Sequence, residues 1–294
     1  NLLITLVSLI AVVGSAYFSV KVKSSRFSRV FIFCKKSIRM FHKTIRLVTF
    51  DVTNTLLRFR VTPGQQYTEV AADCGVLLDG EAMARKFVNN YKEMNSQHPN
   101  FGKKSNMNWV EWWRKVVHDT LATHVEDPKT LEKITTHLIE SYKTKEYWLV
   151  NDGSVDILMF LKERGVTLGV ISNYDPRLHQ VLANVGLRKY FDFVVTSYEA
   201  GFPKPAKEIF EKALKESKAS GIEPRSALHV GDNEELDYRG ALAAGWQAAL
   251  VHSKSSTNPN SFADLKHLHD ALRNSDFHKI SYKIIMLLKP KHER

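Results

Sequence analysis

Two carboxylates stand at the ends of two short apolar runs. Asp51 closes Ile45-Arg46-Leu47-Val48-Thr49-Phe50, and Asp232 follows Ala227-Leu228-His229-Val230-Gly231, so each reads as the residue at the carboxyl end of a buried strand. Open α/β sheets gather their chemistry at such ends, and two carboxylates brought together there can share one hard cation. Asp237 follows Asp232 one helical turn on. Between the two runs, Val166-Thr167-Leu168-Gly169-Val170-Ile171 ends in Ser172-Asn173, which offers a hydroxyl and an amide at the same edge. The stretch Gly201-Phe202-Pro203-Lys204-Pro205 sets a lysine between two prolines, whose rings restrain the backbone that carries it. A carboxylate, a hydroxyl, a lysine and an acidic pair, in that order along one chain, suit a site for phosphate.

The elements that must position these groups follow from hydrophobic period. After Leu57 the strand–helix alternation stops, and helical patterns cover 65–74, 80–97, 108–124 and 128–145. From Gly153 the alternation resumes, with a helix to Glu163, a strand at 166–171, a helix at 176–185 and a strand at 191–196. A helix at 206–218, a strand at 227–231, a helix at 236–244 and a strand at 247–252 complete it. Strands separated by helices imply parallel pairing with right-handed crossovers. The expected fold is α/β, a doubly wound parallel sheet in a Rossmann-like three-layer core with an inserted helical cap domain. The expected domains are an apolar and basic leader at 1–43, a core at 44–60 and 150–256, a helical cap at 61–149, and a C-terminal helix and basic tail at 257–294. Pro63-Gly64 and residues 149–153 are the expected hinges, 253–261 a linker, and 264–272 a last helix.

The four motifs in order resemble the haloacid dehalogenase-like hydrolase superfamily over roughly residues 44–255. Its pattern is an Asp-x-Asp-x-Thr type loop, a strand-end Ser or Thr, a Lys, and a Gly-Asp-(x4)-Asp type acidic motif. Here these fall on Asp51 to Thr55, Ser172, Lys204, and Gly231 to Asp237. The resemblance implies that Asp51 is a nucleophile carrying the phosphoryl group as an aspartyl phosphate. It also implies Mg2+ held by Asp51, the Thr53 carbonyl and Asp232, with Asp237 steering the ion's waters or Lys204. Ser172, Asn173 and Lys204 would contact the phosphoryl group of a small phosphorylated substrate, and the helical insertion would be a cap that selects it. Thr55 is expected to brace the loop through backbone hydrogen bonds.

One departure bears on all of this. Phosphatases of the superfamily carry a second Asp two residues after the nucleophile, as acid for the leaving group and then base for water, and this chain has Thr53. A threonine hydroxyl does not exchange protons near neutral pH, and loss of such a group costs roughly 10²–10⁴ in rate. The expectation is a Mg2+-dependent phosphatase of low or specialised activity; the alternative is a catalytically weak or inactive phosphate-binding or regulatory protein of the same fold. The superfamily's P-type ATPases also place Thr here. Carbon–halogen hydrolysis is a third reading, but those members dispense with metal and would not need Asp232.

The formal charge of +11 on 294 residues suggests nucleic acid until it is located. Residues 1–44 carry eight Lys or Arg and no acid, which leaves 34 basic and 31 acidic groups in the rest, a nearly balanced body without a basic groove. No nucleic-acid partner is expected. Residues 2–20 are uncharged and mostly apolar, long enough to span a bilayer, and the basic stretch after them would keep the body in the cytosol. Residues 21–43 also read as a mitochondrial transit segment, and Met40 stands just before the first strand, so residues 1–39 read equally as upstream sequence. The expected location is cytoplasmic, with mitochondrial or membrane-anchored alternatives resting on the leader alone. Two cysteines, Cys34 and Cys74, give no disulfide framework. The twelve histidines lack zinc spacing. Trp109, Trp112 and Trp113 share one helical face, either as core or as the lining of the cap for an apolar or ring-bearing leaving group.

Overall fold

Leu47-Val48-Thr49-Phe50 lacks a charged face, and it becomes the fully buried strand β1 (Leu47–Phe50). The computed structural model describes residues 45–218, 221–252, 258 and 260–274, so the leader, the basic tail at 275–294 and most of the 253–261 linker lie outside the described residues. Beyond β1 the chain turns sharply. The Val52 carbonyl accepts the amides of Thr55, Leu56 and Leu57, and Asn54 adopts a φ of 60°, a left-handed conformation that asparagine tolerates. The turn feeds β2 (Leu57–Phe59), which pairs antiparallel with β3 (Trp148–Val150), Leu57 facing Val150 and Phe59 facing Trp148. These two strands are too short to show a period in the sequence.

The regular elements between β2 and β3 are helices: α1 (Pro63–Ala72), α2 (Gly80–Gln97), α3 (Trp109–Leu121) and α4 (Pro128–Ser141). Thr62, Asp79, Asn108 and Asp127 cap their first turns by accepting backbone amides. Pro63-Gly64, the expected hinge, is the start of a helix. Thr62 and Gln65 form a capping box and Pro63 takes the first helical position, so the pair begins α1 instead. Gly64 lies against α2 so closely that a Cβ there would meet the Gly80 carbonyl at 2.1 Å. Helices α3 and α4 stop short of the expected 124 and 145. After Ser141 the chain folds into tight turns, and Thr144 opens a short 3-10 turn at Lys145–Tyr147 by accepting the Glu146 amide.

The α/β rhythm then runs α5 (Ser154–Glu163), β4 (Thr167–Ser172), α6 (Arg177–Asn184), β5 (Phe193–Thr196), α7 (Ser197–Ala200) and α8 (Lys207–Glu216). It closes with β6 (Ala227–Gly231), α9 (Gly240–Ala243), β7 (Gln247–Val251), β8 (Ser261–Phe262) and a helix at 265–274. The six-stranded sheet has the order β5-β4-β1-β6-β7-β8, all parallel. Side chains alternate between its faces. Val48, Phe50, Val170 and Val230 join Ile157, Leu178 and Leu265 on one side, whereas Leu47, Ile171 and Val195 pack on Ile209, Phe210 and Trp246 on the other. Expected strand ends shift by one or two residues, as frayed ends do. The expected helix at 236–244 is replaced by a π-helical turn, Glu234–Arg239, followed by α9. Among the described residues no helix is long and apolar enough to cross a membrane.

Candidate active site

Register brings three strand ends level. Phe50 lies beside Val170 of β4 and Val230 of β6, so Asp51 emerges next to Ile171-Ser172 and Gly231-Asp232. This is the edge where chain order reverses about β1, from β4 and β5 on one side to β6 and β7 on the other. Lys204 reaches it from the loop before α8, through a cis peptide to Pro205, and is almost fully buried. Its Nζ donates to Asp51 Oδ1 at 2.7 Å, to Asp237 Oδ1 at 2.5 Å and to the Ile171 carbonyl at 3.0 Å, which uses all three ammonium protons. Asn173 holds the lysine's backbone from both sides, accepting the Lys204 amide and donating to the Lys204 carbonyl.

Asp237 is held just as firmly. Its Oδ2 accepts the Asn233 amide at 2.9 Å, a bond made by the π-helical turn as it swings the side chain back over the strand end. That position explains Gly231, because a Cβ there would lie 2.1 Å from Asp237 Cγ. On its other oxygen Asp237 also meets His229 Nε2 at 3.1 Å, and His229 Nδ1 lies 2.9 Å from Thr49 Oγ1. A carboxylate only accepts, so the imidazole donates from Nε2 and takes the Thr49 hydroxyl proton at Nδ1. His229 and Thr49 were not among the expected site residues. The available signal was a polar pair inside two apolar strand runs, at positions that register places side by side.

One carboxylate oxygen from each of Asp51, Asp232 and Asp237 lies within 4.8 Å of the others, and Lys204 pairs with the first and the last. Burial pushes the Asp51 carboxyl upward against the pull of Lys204. Burial and then the charges of Asp51 and Asp237 push Asp232 up to about 6. Burial opposes ionisation of Asp237 too, yet Lys204 and His229 outweigh it and hold that carboxyl well below the usual range. Burial alone would weaken the Lys204 ammonium, but its two carboxylate partners raise it above its ordinary value. The cluster is thus over-supplied with negative charge and built only of oxygen donors, which fits a hard dication such as Mg2+ and does not suit zinc.

Thr53 and Asn173 form part of the lining of a cavity of about 310 Å³ between the core and the helical insertion. Phe87, Tyr91, Phe101 and Trp113 line much of the rest. Trp112, by contrast, is fully buried beneath Phe101 and Tyr91, so only part of the tryptophan stripe faces the cavity. At one wall a buried ion pair closes on itself. Arg177 donates to Asp175 through Nε at 2.9 Å and Nη2 at 2.7 Å, and Trp113 Nε1 donates to Asp175 Oδ2 at 2.7 Å. Asp175 and Arg177 gave no sequence signal beyond a turn around Pro176. Ser172 ends β4, buried beside Thr196. Thr55 braces the loop through its backbone, its amide donating to the Val52 carbonyl at 3.2 Å and its carbonyl accepting Asn151 Nδ2 at 2.9 Å, while Oγ1 is buried without a hydrogen-bond partner.

A parallel sheet with an acidic cluster at its reversal point and a helical insertion after the first strand defines a hydrolase class. The chain belongs to the haloacid dehalogenase-like hydrolases, the family whose profile matches residues 45–245. It is similar to the Rhythmically expressed gene 2 protein of Drosophila melanogaster, 45% identical over 219 residues, 71% of this chain and 84% of that one. It is also similar to the Homo sapiens Haloacid dehalogenase-like hydrolase domain-containing protein 3, 38% identical over 216 residues, 73% of this chain and 85% of the relative. The fold is shared with the magnesium-bound hydrolase YfnB of Bacillus subtilis, with a TM-score of 0.60 at 21% identity, covering 79% of this chain and 100% of that one.

Proposed function

We propose that this hydrolase is a phosphatase that transfers the phosphoryl group of a small phosphorylated metabolite to Asp51 and then to water. The observation that carries the reading is the charge cluster at the sheet edge, with Asp51 bound to Lys204, Lys204 to Asp237, and Asp232 within reach of both carboxylates. An Asp51 oxygen attacks phosphorus as the bond to the leaving oxygen breaks, and water then attacks the aspartyl phosphate and restores the carboxylate. Lys204 fixes the orientation of Asp51 and sets a positive charge beside the transferred oxygens, and Ser172 offers them a hydroxyl. Asp51, Asp232 and the Thr53 carbonyl would hold Mg2+, with Asp237 oriented by Lys204, Asn233 and His229 to steer the ion's waters. When bound, the ion would neutralise charge on the phosphoryl oxygens.

Thr53 supports the second reading, a phosphate-binding protein that turns over slowly or not at all. Trapping separates the two. After mixing with radiolabelled acetyl phosphate and Mg2+ and quenching in acid, the protein should carry hydroxylamine-sensitive label that Asp51→Asn lacks. Label that forms and persists for minutes points to slow turnover. No label and no phosphate release at saturating Mg2+ sinks the phosphatase reading and leaves the binding one.

A further inference from the structure

The groups that meet a substrate at the two ends of the site differ in kind. At the floor stand Thr53 and Asn173, which follow Asp51 and Ser172 in the chain by two residues and one, and the rings of Tyr67, Phe87, Tyr91, Phe101, Trp113 and Tyr142 make up much of the remaining lining. Its volume of about 310 Å³ falls at the small end of the usual range for small-molecule sites, enough for one or two fused rings. The charged pair in the wall is turned inward: Asp175 accepts from Arg177 and Trp113 on both oxygens, and Arg177 Nη1 donates to the Ile139 carbonyl. Apart from the tyrosine hydroxyls, the walls offer a hydroxyl-rich leaving group only ring faces, whereas an aromatic one would add to rings already packed tilted, as Tyr91 on Trp113, and edge to face, as Trp112 on Trp113.

The floor points the same way for an independent reason. Thr53 occupies the position that carries the general acid in the phosphatases this chain resembles, and a threonine hydroxyl does not protonate a departing oxygen near neutral pH. An alkoxide, the base of an alcohol nearly as weakly acidic as water, leaves poorly without that proton. An aryloxide, the base of an acid near about 10 as in tyrosine, leaves with its electron pair unaided.

We propose that the ester this chain accepts is an aryl phosphate, a phosphoryl group joined through an acidic oxygen to an apolar ring system seated in the cavity. The proposal rests on the phosphatase reading above. The Asp51–phosphorus bond forms as the phosphorus–aryloxide bond breaks, and the aryloxide carries away the electron pair. Water then attacks phosphorus and frees Asp51; one proton stays on the phosphate and the other reaches the aryloxide through solvent, giving a phenol and hydrogen phosphate.

Four substrates test it on the full chain with saturating Mg2+: 1-naphthyl phosphate (apolar and acidic), cyclohexylmethyl phosphate (apolar, not acidic), acetyl phosphate (acidic but small) and glycerol 3-phosphate (neither). The naphthyl ester should exceed the cyclohexylmethyl ester in kcat by at least about a hundredfold. It should have a KM at least about tenfold below that of acetyl phosphate, from the buried ring area. Val117→Phe, which fills part of the cavity, should raise KM for the naphthyl ester far more than for acetyl phosphate. Should that variant misfold, the four wild-type comparisons still decide. If acetyl phosphate labels Asp51 but the naphthyl ester is not cleaved, or glycerol 3-phosphate matches it, the aryl proposal falls and the phosphatase reading stands. No labelling and no phosphate release from any of the four brings down both.

Discussion

The sheet edge and the cavity beside it are built by opposite means. At the edge, buried charges are locked in place by bonds to one another, and Lys204 alone ties Asp51, Asp237 and β4 together. In the cavity the rings of the insertion present shape, and the one ion pair in the wall is satisfied internally. The difference separates two kinds of mutational effect. A change at the edge alters charge and should act on kcat and on metal affinity, whereas a change in the cavity alters volume and should act on KM.

The strongest test removes the nucleophile. Asp51→Asn should lower phosphate release by about four to six orders of magnitude, while tryptophan fluorescence still reports binding of an aryl phosphate. Loss of that binding along with turnover would break the division between the two regions. Lys204→Met should destabilise the protein by about 3–5 kcal/mol in urea titration, because it leaves two carboxylates buried without their shared partner. Thr53→Asp should raise turnover of alkyl phosphates by roughly 10²-fold or more at saturating Mg2+, with a smaller gain on aryl esters. A folded variant that binds Mg2+ without that gain would show that position 53 is not the acid/base position. Gly231→Ala should weaken Mg2+ affinity about 10- to 100-fold by forcing Asp237 aside, a shift calorimetry would detect.

The smallest expected effect is on pH. In the metal-free protein Asp232 titrates near 6, against about 3.9 in an unfolded chain. Between these values the folded state holds more protons than the unfolded one, so this group's contribution to stability falls as pH rises through that window. Wild type should therefore lose melting temperature relative to Asp232→Asn from pH 4 to pH 6 in chelator, and Mg2+ should reverse the loss above pH 6. A constant difference between the two proteins across that range would mean that the Asp232 carboxyl is not crowded by its neighbours.

The sheet edge was readable from sequence because strand ends are marked by where apolar runs stop. Asp51, Ser172 and Asp232 each stand at such a stop, and Lys204 is flagged by its prolines. His229 escaped notice because an isolated histidine in an apolar run has no spacing partner; Thr49 becomes one only through parallel pairing of β1 with β6. The π-helical turn was invisible for a related reason, since it is fixed by the bonds of Asp237 and Asn233 and not by a hydrophobic period. The cavity was least legible. Its floor and walls come from segments as far apart as Thr53 and Arg177, and periodicity within one helix cannot show what faces it across a gap. The ribbon of β2 and β3 went unseen because three residues carry too little pattern.

Arg177 belongs to the core, yet most of its neighbours do not. Its guanidinium lies 5.2 Å from the Trp109 ring and 4.9 Å from the Trp113 ring, and it donates to the Ile139 carbonyl, all on the helical insertion. Two cation–aromatic contacts at about 0.5–2 kcal/mol each, with hydrogen bonds to a charged group at about 1.5–3 kcal/mol each, make lifting the insertion a matter of several kcal/mol. If the insertion must lift to admit a ligand, capture waits on the rare molecule in which these contacts are broken. The apparent association rate would then be lowered by that scarcity, and product release would meet the same barrier. Arg177→Met should therefore quicken both capture and release in stopped-flow fluorescence while leaving their ratio less changed than either rate; unaltered rates would show that the gate is hung elsewhere.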